Sequence, residues 1–218
     1  MRAPLRSPAI LALLLHSGLA AQQAAAPLPG RWAVGLSIGT FSFTGASRGP
    51  ETGEEVSFTP YRPMMLGLSL ARGGNRLRVA LSARYGESAL AIRGLPVSDG
   101  DDVTSGVMLV AENAYHLGSF GLNASTRMLR LRGGPVLRPS IGVMLERWTA
   151  PGTPVRTIPG AQTGLSAEVA LTGAFVAAVE GEFGFTPGSP FRRQELPQEF
   201  RPRSTWRRSL AAAVYWRF

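Results

Sequence analysis

The sequence predicts an all-β fold, an up-and-down antiparallel transmembrane β-barrel of about eight strands. Three observations predict it. Segments of about ten residues alternate apolar with small or polar side chains, and a strand places alternate side chains on opposite faces. The connections alternate between long loops and tight Gly-rich turns, as in barrels with short turns at one end and long loops at the other. Arginines and glutamates fall on the parity opposite the apolar one, a costly pattern for a sandwich core and an ordinary one for a polar lumen.

Composition sets the bounds. The chain has 218 residues and no Cys, which excludes disulfides and thiolate chemistry. Its 23 basic residues are all Arg, and the net charge is +9. The arginines are spread along the chain without a basic-aromatic stripe or zinc-finger spacing, so no nucleic-acid partner, metal or cofactor is expected. Residues 1–20 read as a signal peptide: Arg2 and Arg6, an apolar run from Ala9 to Leu15, then small residues at Gly18-Leu19-Ala20. Residues 21–30 read as a linker and 31–218 as the barrel domain. No apolar run approaches the ~20 residues of a spanning helix, so a membrane-embedded form must be a closed barrel.

In chain order, Trp32, Val34, Leu36 and Ile38 form the apolar face of a first strand. Phe41 and Phe43 then fall on the other parity, and a bulge near Gly39 is expected there. Thr44 to Phe58 is an acidic loop with Glu51, Glu54 and Glu55. Pro60 and Pro63 confine the start of a second strand, whose outer face is Met64, Leu66, Leu68 and Leu70. Gly73-Gly74-Asn75 turns into a third strand, with Leu77, Val79, Leu81, Ala83 and Tyr85 opposite Arg78 and Arg84. Ser88 to His116 reads as an extension of the strands above the membrane around an Asp99-Gly100-Asp101-Asp102 turn, although Val107, Val110, Ala111 and Ala114 also fit helical spacing.

Alternation resumes at Phe120, Leu122 and Ala124 and again, after Gly133-Gly134-Pro135, at Leu137, Pro139, Ile141, Val143 and Leu145. Trp148 falls on the inward parity. A loop with Pro151-Gly152, Pro154 and Pro159-Gly160 follows, then strands carrying Leu165 to Leu171 and Phe175 to Phe185. Thr186 to Thr205 is a long basic loop, and the last strand begins at Trp206. Trp206 and Trp216 share its outer face, as Phe175 and Phe185 do on the preceding strand. Ten residues at ~3.3 Å each and ~45° tilt span about 23 Å, close to the ~25 Å apolar band between aromatic girdles.

The inward parity collects Arg78, Arg84, Arg127, Arg138 and Arg207 with Glu146, Glu168, Glu180 and Glu182. An eight-stranded barrel has room only for its own side chains, so these are expected to pair and plug the lumen.

From about Leu122 onward the chain resembles the small bacterial outer-membrane β-barrel proteins, the class of the OmpA-type barrel domain and the OmpX-like and OmpW-like proteins. The residues that carry the resemblance are Leu122-Asn123, Arg127, Leu137-Arg138-Pro139-Ser140-Ile141-Gly142, Ser189-Pro190-Phe191 and Tyr215-Trp216-Arg217-Phe218. The resemblance implies residence in the cell outer membrane as a monomer. Its partners would be outer-membrane lipid, lipopolysaccharide and the barrel-assembly machinery, which would read Val214, Trp216 and Phe218. Arg192, Arg193, Arg201 and Arg203 on the last loop are candidates for lipopolysaccharide phosphates. A structural or surface-interaction role without catalysis is expected. The alternatives are a narrow pore for small solutes, an outer-membrane lipid-modifying hydrolase, and a soluble periplasmic lipocalin-like carrier. For the hydrolase, His116 has Glu112 and Ser119 nearby, but Ser119 falls on the opposite parity, and Gly118 stands where a nucleophile on the same face would be.

Overall fold

A computed structural model describes residues 31–48, 57–74, 76–99, 102–130, 134–196 and 200–218. The expected signal peptide and linker (1–30), the acidic centre of the first loop (49–56), and parts of the turns at 75, 100–101 and 131–133 lie outside the described residues.

Eight long strands form the wall: β1 (Arg31–Phe43), β3 (Ser57–Gly73), β4 (Leu77–Asp99), β5 (Asp102–Thr126), β7 (Val136–Thr149), β8 (Arg156–Ala170), β9 (Phe175–Thr186) and β11 (Thr205–Arg217). Each pairs antiparallel with the strand before and after it, and β1 pairs with β11, so the sheet closes. The seam holds along Ala33↔Arg217 to Phe43↔Arg207 and is fastened below by reciprocal Trp32–Phe218 backbone hydrogen bonds of 3.1 and 3.0 Å. Closure leaves no sheet edge in the wall. Both ends of the barrel domain lie with the turns after Gly73, Thr126 and Ala170. The long connections gather at the other end, where β2 (Ala46–Arg48) pairs with β10 (Phe200–Pro202). The two-residue strand β6 (Leu129–Arg130) pairs with the start of β7.

The parity of the sequence becomes the two faces of the wall. Leu36, Ile38, Leu66, Leu81, Phe120, Ile141, Leu165, Val179 and Leu210, from all eight wall strands, are exposed on the outside. The aromatic girdle pairs in register, Trp206 with Phe185 and Trp216 with Phe175.

Four local expectations are corrected. There is no bulge at Gly39: β1 keeps an unbroken register with β11, and Phe41 and Phe43 are inward residues buried in the mouth. The irregularity lies in β3 between Tyr61 and Met64, where Arg62 has a φ of 49°. Pro60 and Pro63 do not confine the start of β3, which runs through them from Ser57, and Pro159-Gly160 belong to β8. Proline cannot donate to a ladder, yet each of these has only one neighbouring strand: β1 stops pairing with β3 at Met65, and β9 pairs with β8 only from Ala161. Pro139 obeys the same rule, since β5 stops pairing with β7 at Ser140. The basic loop is partly structured, with β10 and a 3-10 turn at Arg193–Glu195, and the last strand starts at Thr205. The segment from Ser88 to His116 is strand in both β4 and β5, with register shifts between Ser88 and Leu90 and between Ile92 and Pro96.

Gly39 allows the seam to close. A Cβ there would collide with the Leu210 carbonyl and lie 2.8 Å from Ala211 Cβ. Gly39→Val is expected to lower stability by about 1–3 kcal/mol, measured by urea unfolding in lipid vesicles. Gly74→Ala, where the added atom meets nothing within 4 Å, is expected to be neutral.

Candidate functional site

Among the described residues, buried charge is concentrated in the interior. At the short-turn end, Glu168 on β8 receives three arginines: Arg78 at 2.5 Å, Arg138 at 3.2 Å and Arg217 at 3.4 Å. Higher up, Arg84 bonds Glu182 and stands 3.9 Å from Glu180, which also accepts the Tyr215 hydroxyl. Arg207 reaches Glu182 at 2.7 Å and Glu146 at 3.3 Å. The latter contact is an ion pair without hydrogen-bond geometry; Glu146 accepts a hydrogen bond from Trp148 Nε1 at 3.1 Å. Glu146 and Arg207 are 0% and 1% exposed. Burying such ions is tolerable only when partners surround them, and here a chain of partners runs across β4, β7, β9 and β11.

Five arginines, Arg78, Arg84, Arg138, Arg207 and Arg217, thus meet four glutamates, Glu146, Glu168, Glu180 and Glu182. The surplus cation sits at the more open end, where Arg217 keeps a third of its side-chain surface accessible. Arg127 lies in the connection below this cluster and forms no ion pair among the described residues. Arg217, Tyr215 and Trp148 belong to the network although the sequence reading left them out of it. Their inward parity was the available signal. Between the two clusters lies a cavity of about 80 Å³ lined by Ser37, Ser69, Ser82, Ser125 and the charged groups. It has room for a few waters and none for an organic solute.

Above the charges the lumen is capped by an apolar cluster: Phe41, Phe43, Met65, Leu117, Trp148, Ile158, Phe191 and Leu196. The Phe43 ring lies tilted against two others, 4.8 Å from Trp148 and 6.2 Å from Phe191 between centroids. The last long loop supplies Phe191 and Leu196 by folding back into the mouth. It is held there by Ser189 Oγ donating to Gly45 O (2.6 Å), Thr205 Oγ1 to Gly188 O (2.8 Å) and Arg156 Nη1 to Phe191 O (2.6 Å).

The four candidate loop arginines divide into two groups. Arg192 and Arg193 lie beside the inserted segment, while Arg201 and Arg203 are exposed on the β2–β10 ribbon. Val214, Trp216 and Phe218 form an exposed outward row on and just beyond β11. His116 faces outward and meets the Tyr85 hydroxyl at 2.9 Å, whereas Ser119 is buried on the inner face. The side chain of Glu112 lies outside the described residues. No group of three or more metal-ligating residues occurs among the described residues.

No protein-family model matches the chain, and no curated protein is similar to it. Solved structures are. Neisserial surface protein A is similar over 86% of this chain and 97% of its own, with 12% identity and a TM-score of 0.57. The outer membrane protein OprG of Pseudomonas aeruginosa is similar over 87% and 95%, with 11% identity and a TM-score of 0.46. The N-terminal β-barrel domain of Pseudomonas aeruginosa OprF follows at 84% and 97%, with 14% identity and a TM-score of 0.42. The first of these shares the fold of this chain, a closed eight-stranded antiparallel β-barrel.

Removing Arg207 would leave Glu146 and Glu182 buried without their shared cation. Arg207→Ala is expected to destabilise the barrel by about 3–5 kcal/mol, read as a lower urea midpoint in vesicles. Arg207→Met combined with Glu146→Gln, which leaves Glu182 paired with Arg84, is expected to recover most of that loss.

Proposed function

We propose that this chain is an integral outer-membrane β-barrel protein, exported by its N-terminal signal peptide, with a structural or surface-interaction role and no catalysis. The observation that carries this reading is the outward apolar belt. Large hydrophobic side chains from every wall strand are exposed around the whole barrel, while charge is gathered inside. A soluble monomer rarely exposes contiguous apolar patches beyond a few hundred Å². In a bilayer the same belt faces hydrocarbon and the closed ladder satisfies the backbone.

The apolar cap and the ion-pair chain weigh against the narrow pore, since both lie across the lumen. The carrier reading requires an apolar interior cavity, and the interior cavity is small and charged. The hydrolase reading lacks its geometry, because His116 and Ser119 lie on opposite faces of β5. Partners remain those of a monomer in this membrane: outer-membrane lipid, lipopolysaccharide and the barrel-assembly machinery. Val214, Trp216 and Phe218, exposed on and just after the closing strand, suit an assembly signal. Arg192, Arg193, Arg201 and Arg203 at the long-loop end suit lipopolysaccharide phosphates.

Protein recovered from an outer-membrane fraction is expected to run at different gel positions before and after boiling, and to give no conductance steps in a planar bilayer. A soluble protein without a shift would overturn the reading, and stable conductance would restore the pore. Charge reversal of Arg192, Arg193, Arg201 and Arg203 together is expected to leave the gel shift intact and weaken lipopolysaccharide retention several-fold.

A further inference from the structure

The outer wall is not uniform. On one side an open apolar groove of about 680 Å³ crosses β3, β4, β5, β7 and β8, walled by Leu68, Ala83, Phe120, Leu122, Leu145 and Pro159. That volume lies in the range of sites that take one small ligand. The strand register fixes what lies above it. Ala83 pairs with Phe120, Phe120 with Leu145 and Leu145 with Pro159, one row across the groove. The next outward row towards the long loops is Tyr85, Gly118 and Arg147, in direct register. Above that come Glu87, His116 and Thr149.

Gly118 makes this arrangement a site. A Cβ built there meets only Arg147, at 3.7 Å from its Cβ and 3.8 Å from its carbonyl oxygen, so the space over Gly118 is open. The missing side chain leaves a notch between Tyr85 and Arg147, one outward row above the residues that line the groove. Arg147 is exposed and forms no ion pair among the described residues, so its guanidinium is free on the row above the groove. The nearby carboxylate is already engaged. Glu87 accepts from the Tyr85 hydroxyl at 2.8 Å and lies 3.7 Å from His116 Nδ1, and β5 separates it from Arg147 on β7. Tyr85 Oη also meets His116 Nδ1 at 2.9 Å, which holds both rings at the edge of the notch.

We infer that this groove and notch bind one phosphate-bearing acyl lipid, with its chains along the row from Ala83 to Pro159 and its phosphate on Arg147. Charge complementarity selects the ligand: a free guanidinium forms bidentate bonds to phosphate, and it stands where the apolar belt gives way to polar residues, the level of a lipid headgroup. The site rests on the proposed membrane barrel. It makes that reading specific, because a belt that only touched bulk lipid would need neither the slot nor the cation at its head.

The test is native mass spectrometry of the full chain, folded in detergent, with equal amounts of phosphatidylglycerol and of diacylglycerol, which has the same chains and no phosphate; a parallel sample receives inorganic phosphate alone. One phosphatidylglycerol is expected to remain bound with about tenfold preference, and phosphate alone is expected not to be retained. Arg147→Gln should remove the preference, Gly118→Leu should reduce retention of the lipid, and Arg72→Gln at the opposite rim should change neither. Boiled and unboiled gels of each variant report folding. Equal retention of both lipids by a chain that keeps its gel shift overturns the site and leaves the barrel standing, as does a preference that Arg72→Gln removes equally. A wild-type chain that shows no shift overturns both.

Discussion

The pairing of β1 with β11 is the contact on which the rest of this structure depends. Without it the wall is an open sheet with two unpaired edges, and neither edge can lie in hydrocarbon. The seam joins the first and last strands of the domain, so it forms only when every intervening strand is present and in register. Small inward residues make the approach possible: Ala33, Gly35, Ser37 and Gly39 on β1 face Arg217, Tyr215, Ala213 and Ala211 on β11. The outward partners along the same seam, Val34 with Trp216 and Leu36 with Val214, are large and apolar. One pair of strands therefore carries both requirements of the fold, close backbones inside and hydrocarbon-compatible bulk outside.

Closure creates the electrostatic problem that the interior solves. Eight strands enclose a space about as wide as the side chains that fill it. Charged residues brought into that space lose water and must find partners across the barrel, and they do so between strands distant in sequence: Arg78 with Glu168, Arg84 with Glu182, Arg207 with Glu146. These contacts tie opposite walls together, so the network acts as cross-bracing. The apolar cap above it, with Phe43 against Trp148 and Phe191, closes the remaining opening with a loop segment tied to Gly45 and Thr205. Rigidity of the wall and closure of the lumen are two effects of the same filled interior.

Much of this was legible in the sequence because a strand has a period of two. Alternation assigned Leu36 and Leu81 to the outside and Arg84 and Glu182 to the inside, and the Gly-rich turns gave the short end. Alternation fails where the inward face stops being polar. Phe41 and Phe43 looked like a break in parity and a bulge, but they continue the inward parity into an apolar mouth. Prolines misled for a related reason. Pro60 and Pro159 looked like strand boundaries, yet the barrel rim is staggered and leaves each of them a free side. The groove on the outer wall was illegible because it comes from register: Gly118 matters only since Tyr85 and Arg147 lie opposite it.

Closure of the seam in a membrane is the central claim, and paired cysteines test it in a chain that has none of its own. Trp32 and Phe218 exchange both backbone hydrogen bonds, which makes Ser37 and Ala213 a non-bonded pair, with Cα atoms expected about 4.5 Å apart. That separation suits a disulfide. Ser37→Cys with Ala213→Cys, oxidised in outer-membrane vesicles, is predicted to form an intramolecular cross-link in nearly every chain, and either cysteine alone none. Free thiols in membrane-inserted chains, or a cross-link found only in soluble protein, would contradict the closed membrane barrel.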